Sequence, residues 1–150
     1  MKGGENMNQY RTLRDKQQKE VNEFPMFFAF SNKQFEEGMA KFGLTPDQTD
    51  KIYKFGNTGG FYLRTDSEKL FAMFEKHEKE RSEAIASDPT GEGYIYEMFL
   101  YELRNHEYGY TGDTEDTLNA LGLTMEEIEA DERLSHGFKK AKMTIWNEGD

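Results

Sequence analysis

Almost none of the apolar side chains in this sequence branch at Cβ. There are one valine and five isoleucines, against ten leucines, eight methionines, twelve phenylalanines and eight tyrosines in 150 residues. Buried parallel sheets and sandwich cores lean on Val and Ile, which suit a pleated surface. Leu and Met lose little rotamer freedom in a helix, and aromatic rings pack in either setting. The sequence therefore predicts a mainly α fold of α+β type, a compact helical domain of five to seven helices with a small antiparallel ribbon of two or three strands. A chain of this length fits one domain, residues 1–150, that buries roughly 70% of its unfolded surface. An N-terminal helix within residues 1–22 carries only a sparse apolar set (Tyr10, Leu13, Val21) and is expected to pack loosely. Charged residues make up 32% of the chain, yet aromatics reach 14%, which separates it from disordered sequences.

Cysteine is absent. That excludes disulfides, a thiol nucleophile, iron–sulfur clusters and every Cys-ligated zinc site. Residues 1–21 are polar throughout, so no signal peptide is expected. The longest apolar-rich run, residues 94–103, is about half a membrane span and contains Glu97 and Glu102. These features predict a cytoplasmic protein with no membrane contact.

The net charge of −10 opposes general binding to nucleic acid. It is unevenly placed. Residues 1–65 hold ten Lys/Arg and eight Asp/Glu, or +2, while residues 66–150 hold nine and twenty-one, or −12. Residues 105–132 contain nine carboxylates and no Lys or Arg.

Local signals divide the chain. Pro25 separates the first helix from the aromatic run of residues 24–30, read as an extended, buried segment. Ser31 with Gln34 reads as a capping box opening a helix that Gly43 closes. Thr45, Pro46 and Gln48 read as the start of a second short helix reaching about Lys54. The glycine-rich stretch 56–60 reads as a turn before a strand at residues 61–64, which could pair with residues 26–30. Thr65 with Glu68 reads as a cap opening a long helix over residues 66–87, and Asp88 to Gly91 as a break. Residues 92–107 read as a central helix, residues 108–112 as a turn, and residues 114–121 as a short helix closed by Gly122. Thr124 with Glu127 opens the last helical region, whose apolar stripe is Met125, Ile128, Leu134, Phe138, Ala141 and Ile145.

The chemistry-bearing candidates are few. Carboxylate–His spacing of i, i+4 occurs twice, at Glu102/His106 and Glu132/His136, and would share a helix face each time. A metal site needs three or four converging ligands, so two such pairs predict helix-surface ion pairs and no bound metal. An enzyme reading would be a metal-dependent hydrolase built on Glu102, His106, Glu107 and Asp113. No serine sits in a nucleophile elbow, and the stretch 56–60 lacks the Lys of a phosphate loop. No catalytic residue and no cofactor are assigned. His77, on the apolar stripe of the long helix, reads as a satisfied, half-buried side chain.

Residues 22–39, residues 55–61 (Phe-Gly-Asn-Thr-Gly-Gly-Phe) and residues 106–113 (His-Glu-Tyr-Gly-Tyr-Thr-Gly-Asp) resemble a family of small acidic proteins of unknown function carried by phages, conjugative elements and their bacterial hosts. The resemblance implies no catalytic residue. It implies a setting in which accessory proteins act by binding a host or rival protein, as inhibitors of CRISPR nucleases do.

The expected function is that of a non-enzymatic interaction module. Its acidic C-terminal half would engage a basic surface, for instance the nucleic-acid groove of a host or defence protein, by imitating a phosphate backbone. The expected contacts are Glu107, Asp113, Glu115, Asp116, Glu126, Glu127 and Glu129. A third reading is an accessory subunit of a larger complex.

Overall fold

The computed structural model describes residues 8–149, so residues 1–7 of the expected N-terminal helix lie outside the described residues. Among the described residues there are eight α-helices and one three-stranded antiparallel sheet. This is the mainly α arrangement of α+β type that the shortage of Cβ-branched residues predicts. The chain divides into two compact units, one holding residues up to Gln18 and from Lys79 onward, the other Lys19–Glu78. Among the described residues no helix is long and apolar enough to cross a membrane.

In the smaller unit, α2 (Asn32–Lys41) starts where its sequence signal lies. The Ser31 side chain accepts the Gln34 N–H, and the Gln34 side chain reaches back to the Phe30 N–H at 2.7 Å, one residue earlier than in a strict capping box. Gly43, at φ +73°, closes the helix in the left-handed conformation. The sheet has the order β1–β3–β2, with β1 at Phe27–Phe28, β2 at Ile52–Phe55 and β3 at Gly60–Leu63. Phe27 pairs with Phe61, as the ribbon expectation has it, and Ile52 pairs with Leu63.

Two expectations fail here. The helix expected from Thr45 to Lys54 does not form. The Thr45 N–H does find the Gln48 side chain at 2.8 Å, but a 3-10 turn (Thr49–Lys51) follows and residues 52–55 become a strand. Non-local pairing decides this, because the backbone of β2 bonds to β3 and Ile52 is buried with Phe27 and Met39. The aromatic run 24–30 is extended but not buried throughout. Phe27 is buried, its ring so close to Gly38 that a Cβ there would lie 2.1 Å from Phe27 Cδ1, while Phe28 and Phe30 are exposed. The third helix, α3 (Ser67–Ala86), follows a 3-10 turn at Arg64–Asp66, so it starts one residue beyond the expected point. Within this unit Phe74 of α3 stacks on Phe55 of β2 at 5.7 Å.

The core of the larger unit is α4 (Tyr94–Asn105), buried at seven of its twelve positions as its nearly all-round apolar sequence predicts. Against it lies α8 (Glu132–Glu148), with Phe99 and Phe138 rings 4.9 Å apart. The stripe Leu134, Phe138, Ala141 and Ile145 is buried, and full burial of a Leu, Phe or Ile side chain is worth roughly 1.5–3 kcal/mol. Tyr10 and Leu13 of α1 (Gln9–Glu23) join the same core. The segment read as a plain turn contains a single helical turn, α5 (Tyr108–Thr111), followed by α6 (Glu115–Leu121) and α7 (Met125–Glu129). Of the stripe residues, Met125 is exposed. The last helical region is not continuous. Asp131 accepts the Arg133 N–H and caps α8 afresh, and the Arg133 guanidinium donates to the carbonyls of Ile85 and Asp88 at 3.0 and 2.8 Å.

Candidate functional site

The segment from Glu107 to Glu129 holds the seven carboxylates expected to meet a partner. It is a chain of short helices anchored by a few buried side chains, with its acids, Tyr110 and Met125 exposed. Thr117 and Leu118 anchor α6, with the Thr117 hydroxyl donating to the Glu102 carbonyl, and Ile128 anchors α7. Glu107, Asp113, Glu115, Asp116, Glu126, Glu127 and Glu129 are all exposed.

These acids differ in what holds them there. Glu115 and Asp116 occupy the first turn of α6, and Glu126 and Glu127 that of α7, where the helix dipole favours negative charge. Glu127 also completes a capping box with Thr124, and Asp113 accepts the Glu115 N–H at 2.9 Å. Those roles are local and structural. Glu129 stands in the last turn of α7, where the dipole opposes it, and Glu107 adopts left-handed backbone at φ +59°. Neither position favours a carboxylate, so neither is explained by helix stability.

A cleft of about 420 Å³ lies beside the acidic segment, walled by residues 108–112 of the α5 turn and by Ile145, Trp146 and Gly149 at the end of α8. Gly109 permits the approach, since a Cβ there would lie 3.3 Å from Ile145 Cγ2. Tyr110 is 94% exposed and Trp146, the chain's single tryptophan, is 72% exposed. The acidic face was legible from charge spacing. The cleft was missed, although Trp146 stands next to Ile145, off the apolar stripe, which already signals an exposed ring.

Residues 9–144 match the model of a family of unknown function, DUF7659. The chain belongs to that family. Comparison with curated proteins and with solved structures returned no significant match.

In this DUF7659 chain the remaining candidates are placed as follows. Glu102 is buried in the last turn of α4, its carboxylate accepting the Tyr10 hydroxyl, with Arg14 Nε at 3.9 Å and His106 Nε2 at 3.5 Å. The i, i+4 pair Glu102/His106 is therefore real. Among the described residues, Glu107 and Asp113 do not join it as a group of ligand atoms within 4.8 Å of one another. The second spacing, Glu132/His136, is not used as a pair. His136 instead meets Glu92 at 2.8 Å, and Lys140 holds the other oxygen of Glu92 at 3.1 Å. Hydrogen bonds from His136 and then Lys140 lower the pKa of Glu92.

In the smaller unit His77 is buried more deeply than its sequence suggests, 2% exposed, and its Nε2 lies 2.6 Å from Glu20. That contact and the Lys76 ammonium hold Glu20 below the usual carboxylate range. It reads as a satisfied histidine.

Proposed function

We propose that this chain is a non-enzymatic protein-interaction module whose acidic surface, α5 to α7, engages a basic surface on a partner protein. One observation carries the reading. Residues 105–132 have no Lys or Arg to relieve their carboxylates, and the seven acids named above all face solvent. Carboxylates along consecutive helices can imitate a phosphate backbone and steer a basic partner into place. The partner class is a nucleic-acid-binding protein of a host or of a defence system, a CRISPR nuclease being one example. The setting would be a phage or conjugative element and the cytoplasm of its host. The chain itself would bind neither nucleic acid nor membrane.

The deciding experiment is affinity capture from the native host, repeated with the variant Glu126→Lys/Glu129→Lys. Glu127 is left in place because its side chain caps α7. The captured partner should elute from the variant at lower salt, with a flatter salt dependence, while the variant's far-UV circular dichroism stays that of the wild type. Equal retention from low to high salt would reduce the acidic face to a solvated surface.

A second reading, an accessory subunit of a larger complex, rests on a different observation. In the smaller unit Phe28, Phe30 and Phe71 are exposed. Sedimentation showing self-association that Phe30→Ser abolishes would favour it.

A further inference from the structure

We infer that the cleft between α5 and the end of α8 seats an arginine side chain from a basic segment of a partner protein, with Tyr110 and Trp146 as its aromatic walls. The inference rests on the acidic-surface reading and names where that surface gains its specificity. Large exposed aromatics scattered singly are ordinary on a protein surface. Here two of the most exposed rings in the chain border one shallow, solvent-open concavity of about 420 Å³, room enough for a single side chain. Tyr and Trp are the side chains that most often concentrate binding energy in such positions.

Charge decides the occupant. The α5 wall is bracketed by Glu107 and Asp113 and lies in the stretch without Lys or Arg. Elsewhere the chain covers ring faces with its own cations: Arg14 over Tyr101, Arg64 over Tyr53, Lys140 over Tyr96 and Lys142 over Phe138. Among the described residues neither Tyr110 nor Trp146 has a cation or a second ring against it. A guanidinium fits this gap better than an ammonium, because it is planar, stacks on aromatic faces and sheds water more readily. Glu107 and Asp113, exposed on either side of the α5 turn in sequence, are the acids its N–H groups would meet.

Trp146 makes the test direct, since it is the only tryptophan and its emission reports the cleft. The probes are a labelled Arg-Gly repeat peptide and a Lys-Gly peptide of equal length, titrated into the full chain at low salt. Binding is followed by peptide anisotropy and by Trp146 fluorescence. The arginine peptide should bind more tightly than the lysine peptide and shift the emission saturably. Tyr110→Ala, which removes a side chain in solvent, should weaken it roughly tenfold. Anisotropy binding with unmoved emission and an unaffected Tyr110→Ala variant overturns the cleft while sparing the acidic surface. Binding that moves Trp146 but ignores salt and Glu126→Lys/Glu129→Lys keeps the cleft and overturns the acidic-surface reading. Failure of both peptides to bind overturns the inference.

Discussion

The Tyr10 hydroxyl donates a hydrogen bond to the Glu102 carboxylate across 92 residues of sequence, tying α1 to the last turn of α4. Burial and then the neighbouring carboxylate push the Tyr10 hydroxyl well above the ordinary tyrosine range. Arg14 Nε lies 3.9 Å from the oxygen that accepts this bond and His106 Nε2 lies 3.5 Å from the other, so both oxygens of the buried acid have partners.

Tyr10→Phe should therefore destabilise the chain by about 1–3 kcal/mol, because it leaves a buried acceptor short of a donor. Glu102→Gln in the same background should add less than it costs alone, since the two residues share one interaction. Urea unfolding of the four proteins of this cycle measures the coupling.

The same contact predicts a response to alkali. Tyr10 is raised, and burial pushes Tyr94 up to about 12. A raised group binds its proton more tightly folded than unfolded, so its stabilisation is complete below the unfolded tyrosine value of about 10 and is lost as pH rises beyond it. Unfolding midpoints should fall above pH ~10 in the wild type, and less steeply in Tyr10→Phe.

At the acid end the sensitive group is Asp88. Burial alone would raise its pKa, but the N–H groups of Ile95, Gly91, Thr90 and Gly93 together outweigh that and hold it low. A depressed carboxyl contributes stability above its unfolded value of about 4 and loses it as pH falls below that. Asp88→Ala should cost roughly 2–4 kcal/mol at neutral pH by orphaning those donors. Asp88→Asn should cost less and flatten the acid limb of the stability profile.

What could be read from the sequence was local. Ser31 with Gln34, Thr124 with Glu127, Gly43 and Gly122 each specify a helix end through neighbours a few residues away, and each appears where it was expected. Thr45 and Gln48 do form their local bond, yet the chain beyond them becomes β2, because Ile52 answers to Leu63 in β3. Phe27 and Phe28 cannot be told apart by composition, and only the close approach of Gly38 says which ring is covered. The exposure of the acidic segment was legible in its charge. The Tyr110–Trp146 cleft was not, since it joins α5 to the far end of α8.

Repulsion among the acids of α5 to α7 should make stability rise with ionic strength. Glu129→Gln, which removes the charge that the end of α7 disfavours, should stabilise by up to about 1 kcal/mol. Thermal melts at low and moderate salt would show both effects, the variant gaining less from salt than the wild type.

Glu107 offers a test of strain. A non-glycine residue in left-handed backbone carries a penalty of about 1–2 kcal/mol, and Glu107 is the one such residue among those described. Glu107→Gly should stabilise the chain or leave it unchanged, while Glu107→Val should destabilise it clearly, as chemical denaturation would show.

Gly91 and Gly137 touch backbone to backbone. A Cβ on Gly91 would lie 2.2 Å from the Arg133 carbonyl oxygen, and one on Gly137 would lie 2.6 Å from the Gly91 carbonyl oxygen. Neither neighbour is a flexible side chain that could swing aside. Each position is therefore held to glycine by backbone, whatever side chain stands at the other. A descendant of this sequence that acquired a larger residue at either one would have to rebuild the Asp88 loop as well, so the pair should persist in lineages where surface acids drift freely.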